Sequence, residues 1–276
     1  MCRFLGIVSA ESIPYRILLK EIPKSLSILS REHFDGWGIA VYRSSLNPEE
    51  KPSDSWVLYK GIQSAEKDKA FHEISSKISG EVLISHVRRR TVGPVSLENT
   101  HPFERNGWVF AHNGTIKDRD YLRSGISSSQ IKKIKGETDS ELFFNFLLSR
   151  WEEKGLLASP DQEKMDEVLK EVVRDVSLRP DFGELNFLLS NGSTLYTYRL
   201  GPKLLHLLER GPHEGVRYRV SIENGKTLQI PWTKRRHALF IASERMTSEA
   251  WIEIEEKALI RVDRLPKPTW RVLVRL

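Results

Sequence analysis

A single cysteine, three methionines and no apolar run of membrane length are the scarcities of this 276-residue sequence. One cysteine excludes an internal disulfide framework and a cysteine-based structural metal site, which fits a reducing, cytoplasmic setting. A membrane helix needs roughly 18 to 20 consecutive apolar residues, and none occurs. The opening Met1 to Ala10 has one Arg and only short apolar clusters, so no export signal is read there. Charge of one sign is not concentrated either: 43 Lys and Arg stand against 37 Asp and Glu, a net charge of +6. The tight basic groups are Arg88, Arg89, Arg90 and Lys234, Arg235, Arg236. No helix-turn-helix, zinc-finger or RNP pattern surrounds them, which argues for a solvated basic surface and against nucleic acid as a partner.

What is present begins with where that cysteine sits. A lone cysteine is ordinarily a small buried hydrophobe. At position 2, loss of the initiator Met1 would leave a thiol of pKa near 8.5 and an α-amine of about 7.7 to 8.0 on one residue, a nucleophile with its own base.

The pattern along the chain is mixed. Strands are expected over 2–9, 36–43, 56–60, 81–88, 107–112, 184–189, 194–200, 237–242 and 270–276. Helices are expected over 16–30, 65–78, 138–151 and 160–176, the last opening on Pro160. Asn191, Gly192 marks a hairpin, and 47–55, with Pro48, Pro52 and Ser53, reads as a loop. No repeat or linker interrupts the pattern, so one domain over 1–276 is expected. Strands, a helix pair, then strands suit two packed sheets flanked by helices.

Five motifs then occur in a telling order. They are Met1, Cys2, Arg3, Phe4, Leu5, Gly6 with Asp35, Gly36, Trp37, Gly38, Ile39, Ala40; His86, Val87, Arg88 with Thr91 and Gly93; Asn99, Thr100, His101, Pro102, Phe103; His112, Asn113, Gly114; and Glu137, Thr138, Asp139, Ser140, Glu141. In order and spacing they resemble the class II glutamine amidotransferases. Ile241, Ala242, Ser243, Glu244 with Thr247 and Trp251 resembles the tail of that family's small stand-alone branch. The resemblance implies an α+β fold, the four-layer αββα sandwich of N-terminal-nucleophile hydrolases.

It also implies a site. Cys2 is the implied nucleophile, its α-amine the proton carrier, and the Asn113 amide with the Gly114 N–H the oxyanion hole, where one donor is typically worth ~2.7 to 4 kcal/mol. Gly114 lets the backbone approach closely, or with φ above zero. Arg88 clamps the substrate α-carboxylate with a guanidinium fork, and Asp139 takes the α-ammonium. Thr91, His86 and His101 shape the pocket, with Thr91 and His101 counted among the substrate-binding residues, and Asp35 and Trp37 support the Cys2 strand. Taken singly, each has a plainer reading: Asn-Gly as a turn, Arg88 as a surface strand residue, Asp139 as a helix N-terminal charge.

The expected reaction is hydrolysis of the γ-amide of glutamine to glutamate and ammonia, without metal or cofactor. The expected partners are a small γ-glutamyl substrate and an ammonia-accepting synthetase, with no membrane. A γ-glutamyl peptide or conjugate hydrolase is the alternative enzyme. A non-catalytic regulatory module and a basic nucleic-acid-binding protein are the alternatives of other classes. Two positions depart from the family pattern. Arg245 replaces a proline in the tail, and Arg90 stands where many relatives carry a small residue. If the strand stays extended to residue 90, Arg90 shares a face with Arg88 and His86 and would select a substrate with a second carboxylate. If it ends near Arg89, Arg90 turns to solvent or pairs with a protein acid.

Overall fold

The computed structural model describes residues 2–44, 55–211, 218–221, 227–230 and 236–276. The 47–54 part of the expected loop, Met1, and the basic pair Lys234, Arg235 therefore lie outside the described residues. Two antiparallel sheets carry the fold. The first comprises β1 (Arg3–Pro14), β2 (Trp37–Arg43), β3 (Ser55–Gly61), β4 (Ser79–Val87), β9 (His206–Arg210), β12 (Ala238–Ala242) and β13 (Ile252–Glu253), in the spatial order β13-β9-β12-β1-β4-β2-β3. The second comprises β5 (Phe103–Arg105), β6 (Trp108–Asn113), β7 (Asn186–Ser190), β8 (Thr194–Tyr198), β14 (Ala258–Asp263) and β15 (Thr269–Arg275), in the order β15-β14-β8-β7-β6-β5. A separate hairpin joins β10 (Tyr218–Ser221) to β11 (Thr227–Ile230).

Both faces of the central strands are covered, so they read as apolar runs rather than alternating ones. In β1, Phe4 and Val8 enter the core between the sheets, whereas Leu5 and Ile7 face the helical layer outside. Gly6 lies where a Cβ would sit 2.9 Å from Leu188 of the opposite sheet, so its lack of a side chain lets the sheets close. Outside the first sheet pack α1 (Leu26–Leu29) and α2 (Lys69–Lys77). Outside the second lie α3 (Arg119–Ser124), α4 (Ser128–Ile131), α5 (Asp139–Glu153) and α6 (Gln162–Leu178). Helix, sheet, sheet, helix is the αββα order expected from the motifs. In α6, Met165, Leu169, Val172, Val173 and Val176 form one buried stripe at helical spacing. Among the described residues no helix is long and apolar enough to cross a membrane.

Several expectations need correction. The helix expected over 16–30 is split: a π-helical turn at Ile17–Glu21 ends at an extended Ile22, and α1 restarts after the Ser25 cap. Pro23 is the cause, because its ring forces the preceding residue out of the helical region. α2 begins at Lys69, since the Asp68 carboxylate caps the Ala70 N–H at 2.9 Å. α6 begins after the Asp161 cap, with Pro160 just before it. Most consequentially, β4 ends at Val87: Arg88 is buried, Arg89 and Arg90 are exposed, and the extended run that would place Arg90 beside Arg88 is absent. β5, β9, β10, β11, β13, β14, α3 and α4 lie outside the expected elements. These are short elements or lie in stretches whose periodicity is weak.

Candidate active site

Cys2 immediately precedes β1, the central strand of its sheet. β1 is fixed on both sides: Arg3 pairs with Val87 of β4, and Leu5 with Ala242 of β12. Just past β12, Ser243 Oγ accepts the Phe4 N–H at 2.7 Å and donates to the Phe4 carbonyl at 3.2 Å, closing the ladder beyond its last register pair. The tail motif thus anchors the cysteine strand. Farther on, the Trp251 indole donates to Thr247 Oγ1 at 3.0 Å, and Thr247 to Glu249 at 2.7 Å, whose carboxylate holds Arg210.

The Cys2 thiol lies 3.4 Å from both the carbonyl oxygen and the N–H nitrogen of Arg89. That stretch of main chain is itself held by the Asp35, Gly36 segment. Asp35 N–H donates to the Arg88 carbonyl at 3.0 Å, Arg88 N–H to Gly36 at 2.8 Å, and Arg90 N–H to the Asp35 carboxylate at 2.8 Å. Asp35 therefore holds the main chain beside the thiol, and it fixes Arg90 through the backbone while the Arg90 side chain stays exposed. Trp37 acts farther off, buried in the helical layer with its indole donating to Asp68 at 2.8 Å. Gly38 is required by close approach, since a Cβ there would meet the His101 carbonyl at 2.0 Å. Burial pushes the Cys2 thiol pKa up, and the Arg89 backbone with the Lys203 and Arg88 cations offsets this only in part.

Asn113 ends β6 opposite Asn186 of β7 and is 1% exposed. Its side-chain Oδ1 is buried without a hydrogen-bond partner. At Gly114 a Cβ would lie 2.1 Å from the Glu184 carbonyl and 2.5 Å from the His112 ring. Close approach alone explains this glycine, since it is not among the residues with positive φ. His112 lies beneath the turn, with Nδ1 2.8 Å from Ser140 Oγ and Nε2 3.0 Å from the Glu184 carbonyl. Asp139, the first residue of α5, accepts the Ile116 N–H at 2.6 Å. Thr138 caps that helix by accepting the Glu141 N–H at 3.2 Å, and Glu141 accepts from Lys135 and Gly136. Much of the Glu137 to Glu141 motif is therefore architectural, tied to Asn99, whose Oδ1 accepts the Glu137 N–H at 2.8 Å.

Arg88 is 3% exposed and donates to the carbonyls of Val92 at 2.8 Å, Pro94 at 3.0 Å and Gly93 at 3.4 Å. It forms no ion pair among the described residues, and neither does Asp139. Two buried, opposite charges thus stand without ionic partners among the described residues, where an unpaired buried charge is costly. Thr91 is exposed and receives a 3.4 Å hydrogen bond from Thr115, linking the Arg88 loop to the Asn113 turn. His101 sits in the interior, its ring 4.4 Å from His86 and 4.6 Å from Phe103, as packing rather than as a wall of an open pocket. Burial drives the His86 pKa down to about 3 and His101 well below its ordinary value, so both stay neutral.

Beyond the foreseen set, Asn113 also lines a cavity of about 370 Å³ with Arg3, Glu184, Lys203, His206 and Glu244. Lys203 and His206 belong to no motif, and no spacing in the sequence flags them. Among the described residues no group of three or more His, Cys, Asp or Glu could hold a metal ion.

A family model described as glutamine amidotransferases class-II matches residues 1–264, so the chain belongs to that family. It is 30% identical over 270 residues to an uncharacterized protein, MJ1515, of Methanocaldococcus jannaschii, covering 94% of this chain and 68% of that one. It is 27% identical over 142 residues to the gamma-glutamyl-hercynylcysteine sulfoxide hydrolase of Mycobacterium tuberculosis, covering 48% of this chain and 56% of that one. Three further curated relatives are spanned over only 53 to 63% of their lengths. In fold, the chain is similar to the glutamine phosphoribosylpyrophosphate amidotransferase of Bacillus subtilis. The TM-score there is 0.60 at 15% identity, over 99% of this chain and 50% of that one. The chain is thus of an enzyme family with the N-terminal-nucleophile hydrolase fold.

Proposed function

We propose that this protein hydrolyses the γ-amide of a glutamyl substrate with Cys2 as nucleophile, once Met1 has been removed. Support comes first from the two buried, unpaired charges, Arg88 and Asp139, which match the α-carboxylate and α-ammonium of a glutamyl head. Arg88 keeps the N–H groups that its three carbonyl contacts do not use. A substrate without both head charges would leave a buried charge uncompensated and be rejected.

The chemistry follows from the neighbours of Cys2. Burial favours the neutral thiol at rest, so its proton must leave as the sulfur attacks. The α-amine of Cys2, acting through a water, takes that proton. The C–S bond forms and the carbonyl oxygen becomes an oxyanion, received by the Asn113 amide and the Gly114 N–H. The C–N bond then breaks, the departing amine collecting the proton from the α-ammonium. Water, deprotonated by the same amine, cleaves the thioester and releases glutamate. None of these steps calls on a metal. Ammonia is the product from glutamine, and an ammonia-accepting synthetase would be its consumer in an amidotransferase setting.

The similarity to a γ-glutamyl conjugate hydrolase favours a second substrate type, in which a larger amine leaves. Glutamate release from glutamine and from a set of γ-glutamyl compounds tests the reading. Turnover by the wild-type protein and none by Cys2→Ala is expected, and retention of activity by Cys2→Ala would refute it.

A further inference from the structure

Three histidines are buried beside the site. Among the described residues His86 and His101 have both ring nitrogens without a hydrogen-bond partner, whereas His112 has both engaged. His112 precedes Asn113 at the end of β6, and its two partners come from elements far apart in sequence, Ser140 in the first turn of α5 and Glu184 just before β7. The chemistry proposed above gives this ring no proton to carry. Its contacts point to another task.

A carbonyl oxygen only accepts, so the 3.0 Å contact with Glu184 puts the ring proton of His112 on Nε2. Burial pushes the His112 pKa down, with Asp139 offsetting this in part, so the ring is neutral and carries that single N–H. Nδ1 is then an acceptor, and the Ser140 hydroxyl donates to it at 2.8 Å. With both nitrogens engaged, the ring has one tautomer and one orientation.

The carbonyl it holds lies against the oxyanion turn. A Cβ on Gly114 would meet the Glu184 oxygen at 2.1 Å and His112 Nε2 at 2.5 Å, so the hydrogen bond between them runs along the bare face of Gly114. The Glu184 N–H donates to the Thr115 carbonyl at 3.0 Å. Glu184 is fixed from outside as well: its carboxylate is paired with Lys203, and Leu185 exchanges backbone hydrogen bonds with Leu200 at 2.9 and 3.1 Å. From α5, Asp139 accepts the Ile116 N–H at 2.6 Å while its neighbour Ser140 holds His112, so two adjacent residues grip the turn at both ends.

An oxyanion donor works only if its N–H already points to where charge will develop, and a displacement of about 1 Å costs ~10²-fold in rate. We propose that His112 is a positioning residue for the oxyanion hole: oriented by Ser140, it holds the Glu184 main chain as the wall against which Gly114 is set. This rests on the proposed hydrolysis through Cys2 and adds a pair of side chains that act on it through the backbone, His112 itself being 1% exposed.

Steady-state kinetics of His112→Phe and His112→Gln on a γ-glutamyl substrate tests the assignment. His112→Phe removes both hydrogen bonds and should lower kcat by roughly tenfold to hundredfold, with KM within about threefold of wild type, because the tetrahedral intermediates use the hole and the bound substrate does not. His112→Gln, whose amide still has an N–H for the Glu184 carbonyl, should bring kcat back to within about fivefold of wild type. A merely structural ring would behave otherwise: a shifted first turn of α5 would move Asp139 and raise KM, and lost packing would lower the urea midpoint with kcat intact. An unchanged kcat in His112→Phe, a loss confined to KM, or a His112→Gln as slow as His112→Phe would overturn the proposal. Should His112→Phe fail to fold, Ser140→Ala and Ser140→Thr decide: the first should lower kcat by about threefold to tenfold with KM unmoved, and the second, which keeps the hydroxyl, should restore it. A Ser140→Ala protein with wild-type kcat would overturn it. If wild-type protein cleaves the substrate and the variants match it, only the role of His112 falls; if wild-type protein cleaves no γ-glutamyl compound, the hydrolase reading falls and this assignment with it.

Discussion

The two flanks of Cys2 differ in how their cations are partnered. On the β4 flank the Arg88 guanidinium donates to three backbone carbonyls and forms no ion pair among the described residues, while the ring nitrogens of His86 and His101 are buried without hydrogen-bond partners. On the β12 flank the cations are paired with carboxylates, Arg3 with Glu244 and Lys203 with Glu184. A guanidinium without a protein carboxylate is open to a substrate carboxylate, whereas a paired cation is already neutralised, which supports the β4 flank as the seat of the glutamyl head.

Breaking the chemistry shared by both flanks should have the largest effect. Asn113→Ala is expected to lower kcat by about 10² to 10³, ~2.7 to 4 kcal/mol, with KM little changed, because the oxyanion exists only near the transition state. Steady-state kinetics on any cleaved γ-glutamyl substrate checks this, and a change confined to KM would contradict the role.

Breaking the head flank alone comes next. Arg88→Ala should raise KM by roughly tenfold or more, a charged hydrogen bond being worth about 1.5 to 3 kcal/mol. A kcat effect as large as that of Asn113→Ala, with KM unmoved, would remove Arg88 from substrate binding.

A smaller effect sharpens the contrast through stability. His86 has its folded pKa lowered to about 3 by burial, with Arg88 adding to the effect. An unfolded histidine titrates near 6.5, so between about pH 6.5 and 3 the unfolded chain holds a proton that the folded one does not. Stability therefore falls as pH falls through that window, by about 1.4 kcal/mol per pH unit for this one group, and His101 acts in the same direction. Urea unfolding at pH 6.5 and pH 5 should show the loss, and His86→Phe should reduce it by about 2 kcal/mol over that interval. A pH-independent midpoint would mean that these rings are hydrated or paired.

The motif side of this molecule was legible because its residues are close in sequence to the backbone features they serve. Thr138 caps its own helix, Gly114 permits its own turn, and Asp35 reaches a segment that β2 already pairs with. The central strands were legible because both their faces are apolar. The break in the 16–30 helix was written in Pro23, and period alone overrode it. The end of β4 at Val87 was not written anywhere local, since it depends on Asp35 capturing the Arg90 N–H across the sheet. Lys203 was illegible for the same reason: it reaches the cavity on a loop that Asn186 pins from another strand, and His206 reaches it from the start of β9, an element outside the expected set.

The central claim is that a glutamyl group passes through the sulfur of an N-terminal Cys2. Mass spectrometry of protein quenched during turnover, with the N-terminal peptide sequenced, tests it most directly. The account predicts a peptide beginning at Cys2, without Met1, carrying one γ-glutamyl thioester on that residue. Full turnover by protein that retains Met1, or a glutamyl adduct on any other residue, would contradict it.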